Sequence, residues 1–135
     1  MNWGANGNKI PLGTNIVIYY LQQQFSWPAE RFIDKILTES TPAFSVITEL
    51  ELLCWKTTHE EDQIVLKKFI SNAKVFELDP PIKLKTVDLR KSIKIKLPDA
   101  IIAATASTYG ITLLTSNVKD FKNIDNLSLL NPQDL

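Results

Sequence analysis

Residues 97 to 121 read LPDAIIAATASTYGITLLTSNVKDF, and the way this stretch divides decides the fold. Ile101, Ile102, Ala103, Ala104 and Ala106 leave little polar surface for two turns, which predicts a central, buried helix over 99–109. Gly110 suits the position just past a helix end. Residues 112–114 then form a short apolar run of the length of a buried strand, and Thr115-Ser116-Asn117 turn the chain toward a new segment.

The same alternation runs outward in both directions. Strands are predicted at 9–12, 43–47, 75–78, 112–114 and 128–130, with helices at 15–22, 28–39, 48–56, 60–73, 81–93 and 99–109. Short apolar runs separated by longer helical patterns are the mark of βα repetition and a mostly parallel sheet, hence an α/β fold. In 60–73, Ile64, Val65, Leu66, Phe69 and Ile70 are expected on one apolar side, with Glu61, Asp62, Lys67 and Lys68 toward water. Residues 8–135 have the length of one domain, and 1–7 have the small, polar character of a flexible tail or a remnant of expression.

The chain carries 15 acidic and 15 basic side chains, a balance that argues against indiscriminate coating of nucleic acid or anionic membrane. Cys54 is the single cysteine, so neither a disulfide framework nor a cysteine metal site can be built within the chain. In the run Leu52-Leu53-Cys54-Trp55 it is expected to be a small buried hydrophobe. His59, also single, lies in a polar run that reads as a helix start in solvent. With one of each, Cys/His and Ser/His nucleophilic catalysis is effectively excluded. No run approaches the length of a membrane span and the N-terminus lacks the pattern of a signal peptide, so a cytoplasmic location is expected.

Ligands of open parallel sheets sit beyond the carboxyl ends of the strands, so the strand-to-helix junctions hold the candidate chemistry. Three of them carry acids. Thr48 and Glu51 have the spacing of a capping box, and Glu51 lies among Leu50, Leu52 and Leu53, where a carboxylate near a buried face needs a partner. Asp99 opens the most apolar helix of the chain, where it could cap the first turn. Asn117 and Asp120 repeat the capping spacing. Each is explicable as local turn chemistry, but three carboxylates at one sheet edge repel unless a cation neutralises them. Mg2+ or Mn2+ is the natural occupant of such an oxygen site, and metal-assisted phosphodiester hydrolysis is the reaction class that follows.

These stretches together resemble the PIN-domain family, specifically the VapC-like ribonuclease toxins of bacterial toxin-antitoxin pairs. The similarity runs, in family order, through Thr14-Asn15-Ile16-Val17-Ile18-Tyr19-Tyr20-Leu21, Ser45-Val46-Ile47-Thr48 with Glu51-Leu52, Leu97 to Ala106, and Leu114 to Phe121. The resemblance implies a three-layer α/β/α fold, a Mg2+ or Mn2+ site, cleavage of RNA, an antitoxin partner and often pairing with a second copy. It also implies that Glu51, Asp99 and Asp120 are the metal-binding, catalytic acids, with Asn15, Thr115 and Asn117 as polar support. The family's remaining acid would immediately precede Thr14, where this chain has Gly13. A weakened enzyme is one reading of that glycine. A catalytically inactive module that binds RNA or an antitoxin is the alternative.

A phosphate-receiving regulatory domain also has a parallel sheet and clustered acids, but it needs an acidic pair after the first strand, and none is present here. Lys94, Lys96, Lys119 and Lys122 flank the last two acid motifs and read either as solvated surface charge or as an attraction for the RNA backbone.

Overall fold

Successive side chains of a strand point to opposite faces of its sheet, so a strand apolar at consecutive positions needs cover on both sides. Strand β2 (Thr41–Ser45) sends Ala43 into one buried cluster and Phe44 into another. Strand β4 (Leu113–Leu114) divides in the same way, Leu113 to the first cluster and Leu114 to the second. Strand β3 (Lys74–Phe76) gives Phe76 to the first and Val75 to the second. Two apolar faces under helical cover make an α/β fold in layers, seen here in a computed structural model that describes residues 9–11, 13–57 and 59–134.

The first face is covered by α5 (Pro80–Ser92) and α6 (Leu97–Thr108), which pack closely on each other. The second is covered by α1 (Thr14–Leu21), α2 (Trp27–Glu39), α3 (Val46–Leu53) and α4 (Glu60–Ser71). A short α7 (Val118–Phe121) follows β4, and a 3-10 turn (Pro132–Asp134) follows β5 (Leu129–Leu130). Among the described residues no helix is long and apolar enough to cross a membrane.

All strand pairs are parallel. Strand β1 (Lys9–Pro11) pairs with β2 and β2 with β3, while β4 pairs with β5. The two ladders meet at Gly13, whose N–H donates to the Leu114 carbonyl at 2.8 Å. Strand β1 itself also lies against β4.

Several local expectations are corrected. The helix after β2 begins at Val46, because Ser45 is its cap: the Ser45 hydroxyl accepts from the Ile47 N–H at 2.9 Å. Thr48 is therefore a buried residue of the first turn of α3, and the capping box read from Thr48 and Glu51 does not form. Replacing Ser45 with alanine is expected to lower stability by about 1 kcal/mol in denaturant unfolding, since it strips a partner from a helix-start N–H. Glu51 and Cys54 are both exposed, as are Leu50 and Leu53, and of that run only Leu52 is buried. In α4, Leu66 is buried and Phe69 and Ile70 are half-buried, whereas Ile64 and Val65 face solvent. Leu66, Phe69, Ile70 and Ala73 are the residues at helical spacing, and Ile64 and Val65 fall off that stripe.

His59 stands in solvent at the N-terminus of α4, and Gly110 follows α6 with φ of 63°. Residues 1–7, read as a tail, lie outside the described residues.

Candidate active site

The C-terminal ends of β2 and β4 and the start of α6 bring the candidate residues to one edge of the sheet. A cavity of about 110 Å3 there is lined by Gly13, Glu51, Asp99, Thr115 and Asn117, with Ile102 and Phe121 as apolar wall. Asp120 lies in the adjoining groove of about 430 Å3, which it shares with Asp99. Asp99 is thus common to both, with Glu51 on one side and Asp120 on the other. Among the described residues no three His, Cys, Asp or Glu side chains close on one point as an ion would require.

Asp99 does not cap its helix. Lys96 is the N-cap residue, Pro98 occupies the first turn, and Asp99 sits one residue further in, half-buried. Burial pushes its carboxyl above the ordinary aspartate range, the charges of Asp120 and Glu51 push it further, and Lys96 pulls it back. The folded state therefore holds the Asp99 proton more tightly than the unfolded chain does. That contribution to stability is complete below the unfolded pKa, near 3.8, and is lost as pH rises through the higher folded value. In metal-free buffer, Asp99→Asn is expected to raise the melting temperature at neutral pH and to leave it nearly unchanged in acid; thermal melts across pH check this.

Around this acid the polar residues are ordered by their own bonds. Thr115, buried at the end of β4, accepts from the Asn117 N–H at 3.0 Å through its hydroxyl. The Asn117 side-chain amide donates to the Asp120 carboxylate at 2.7 Å. The spacing of Asn117 and Asp120 suggested a cap, but Asn117 makes no side-chain cap bond and orients an acid instead. Asn15 stands in the first turn of α1, and its side chain lies outside what is described. Sequence reading passed over Arg90, whose guanidinium lines the groove beside Asp99, because nothing in local spacing ties the last turn of α5 to the site.

The PIN domain model matches residues 12–127 of the sequence. The chain belongs to the PIN domain family. Its similarity within that family is to VapC-like proteins: it is 38% identical over 94 residues to Ribonuclease VapC1 of Rickettsia felis, covering 63% of this chain and 70% of the relative. Its structure matches the VapBC2 complex of Rickettsia felis bound to a promoter DNA fragment, with a TM-score of 0.76 and 28% identity over 91% of this chain and 98% of that one. A toxin-antitoxin complex from Klebsiella pneumoniae matches with a TM-score of 0.71 and 27% identity, over 91% of this chain and 97% of that one. As a VapC-like PIN domain it carries Glu51 and Asp120 on the helices that follow β2 and β4. Asp99, expected after a strand, comes instead from the start of α6 after the α5 link, and Gly13 lines the same cavity as Glu51 and Asp99.

The donor set suits a hard divalent cation. Carboxylate, amide and hydroxyl oxygens line the cavity and groove, and Asp99 is raised first by burial and then by the charges of Asp120 and Glu51.

Proposed function

We propose that this chain is a VapC-like endoribonuclease, the toxin of a type II toxin-antitoxin pair, which hydrolyses RNA phosphodiesters with Mg2+ or Mn2+ held by Glu51, Asp99 and Asp120. The observation that carries the reading is the position of Asp99: half-buried, held above its ordinary pKa, and shared between the cavity of Glu51 and the groove of Asp120. A bound cation supplies Lewis acidity, polarising the phosphate and making a water nucleophilic. Glu51, Asp99 and Asp120 would hold it, and the chain's own residues do the positioning. Asn117 keeps the Asp120 carboxylate oriented by its amide bond, and Thr115 fixes the Asn117 backbone.

The matched relatives support an antitoxin partner, since two of them are toxin-antitoxin complexes. Leu50 and Leu53 on α3 and Ile64 and Val65 on α4, two helices packed together, supply exposed apolar surface of the kind a partner covers. A cytoplasmic protein, self-pairing in addition, fits this reading.

Gly13 favours a second reading, a PIN module that binds RNA or an antitoxin without cutting. Purified chain free of any antitoxin, incubated with total cellular RNA, separates the two. The nuclease cleaves with Mg2+ or Mn2+ and stops on chelation; a binding module leaves the RNA intact in every condition.

A further inference from the structure

The chain is neutral as a whole, yet four cations line one groove: Arg90, Lys94, Lys96 and Lys119 surround Asp99 and Asp120. Their placement has a local cause. Ile93 and Lys96 are both extended, with φ and ψ of −139° and 163° and of −69° and 148°, so the link from α5 to α6 alternates its side chains. Ile93 is half-buried and Ile95 buried, both against the α5 and α6 face, and Lys94 and Lys96 are turned outward. Arg90 fastens the link from below, its Nη1 donating to the Ile95 carbonyl. One of the five N–H donors of the guanidinium is committed there, and the planar fork it fixes is the geometry that suits a phosphodiester. Lys119, from α7, completes the groove from the other side of the acids.

We propose that Arg90, Lys94, Lys96 and Lys119 form a phosphate track that seats the backbone of single-stranded RNA beside the acids, with Arg90 as its preorganised anchor. The proposal rests on the nuclease reading for its substrate. The track gives a protein of zero net charge a local attraction for a polyanion, which would position a phosphodiester beside Asp99 and Asp120.

The test is binding of a fluorescein-labelled oligouridine in EDTA, followed by anisotropy over a range of KCl concentrations. Each cation that meets a phosphate of a single strand contributes about 0.7 to the slope of log affinity against log salt. The exposed triple variant Lys94→Gln/Lys96→Gln/Lys119→Gln is expected to lose about 2 from that slope and roughly tenfold or more in affinity at low salt. A control of equal charge, Lys67→Gln/Lys68→Gln/Lys83→Gln, should bind as the parent does. Arg90→Gln should weaken binding as well, and its melting temperature shows whether the loosened link contributes. Mn2+ affinity by calorimetry is measured beside these. A chain that binds no Mn2+ but loses the slope refutes the nuclease and keeps the track. A chain that binds Mn2+ and cleaves RNA, yet shows the same slope in the groove triple as in the control, refutes the track.

Discussion

Asp99→Asn is expected to abolish metal-dependent RNA cleavage, by at least about a hundredfold, while the protein without metal becomes no less stable. Removing even an outer partner of a metal site costs about 10 to 100-fold, and Asp99 lines both the cavity of Glu51 and the groove of Asp120, which on the proposed reading makes it the acid they share. Asparagine keeps the shape of the side chain and its place in the first turn of α6. It removes a charge that burial and two neighbouring carboxylates already disfavour. The two effects should therefore run in opposite directions. A purely structural aspartate would lose stability and activity together. Single-turnover cleavage with Mn2+, paired with thermal melts in EDTA, measures both; a variant that cleaves within a fewfold of the parent removes Asp99 from the chemistry.

The fold was legible where the sequence carried two periodicities at once. Ala43-Phe44 and Leu113-Leu114 are apolar at consecutive positions, which only a sheet covered on both faces accommodates, and residues 100–106 are buried to the last as their composition implies. Ends were less legible, because a hydroxyl three residues before an acid is a pattern that several positions satisfy. Ser45 took the cap that Thr48 and Glu51 seemed spaced for, since the strand pairing runs to Ser45 and leaves its hydroxyl beside the first free N–H groups. Apolar residues off the buried stripe were misjudged for a different reason. Leu50, Leu53, Ile64 and Val65 look like core in sequence, and nothing in a single chain marks an apolar residue as surface.

Glu51 and Asp120 were found because each follows a parallel strand, β2 and β4. Asp99 follows the link from α5 to α6 and not a strand, and was legible only as the acid that opens the most apolar helix. Arg90 was not, because its bond to the Ile95 carbonyl depends on how α5 ends and the link turns back. The side-chain pairs between Tyr20 and Asp34 and between Tyr109 and Asp79 are likewise tertiary, joining residues far apart in the chain.

Gly13→Asp is expected to strengthen Mn2+ binding about tenfold or more and to raise cleavage with it. The backbone permits the exchange: Gly13 has φ of −71° and ψ of 158°, an ordinary extended conformation that aspartate adopts without strain. The cost is steric. A Cβ there would meet the Leu114 carbonyl oxygen at 3.1 Å and the Thr115 side chain at 3.5 Å, so β4 must give by a few tenths of an ångström. Against this stands a gain at α1, whose N-cap is Gly13 with no side-chain bond to the helix. Aspartate is a better N-cap than glycine by a few tenths of a kcal/mol, and its charge suits the helix N-terminus. The cap offsets only part of the steric cost and of the repulsion from Asp99 and Glu51, so the melting temperature in EDTA should fall at neutral pH and recover in acid. With Mn2+ the balance changes, because Gly13 lines the same cavity as Glu51 and Asp99 and a carboxylate there adds an anionic oxygen donor to the site. The same added charge should push Asp99 further above its ordinary range in the metal-free protein, a shift that NMR titration reads independently of any cleavage. A Gly13→Asp protein that folds as the parent does, moves the Asp99 titration, and still binds Mn2+ no more tightly would mean that the first junction feels the acids without joining them around an ion.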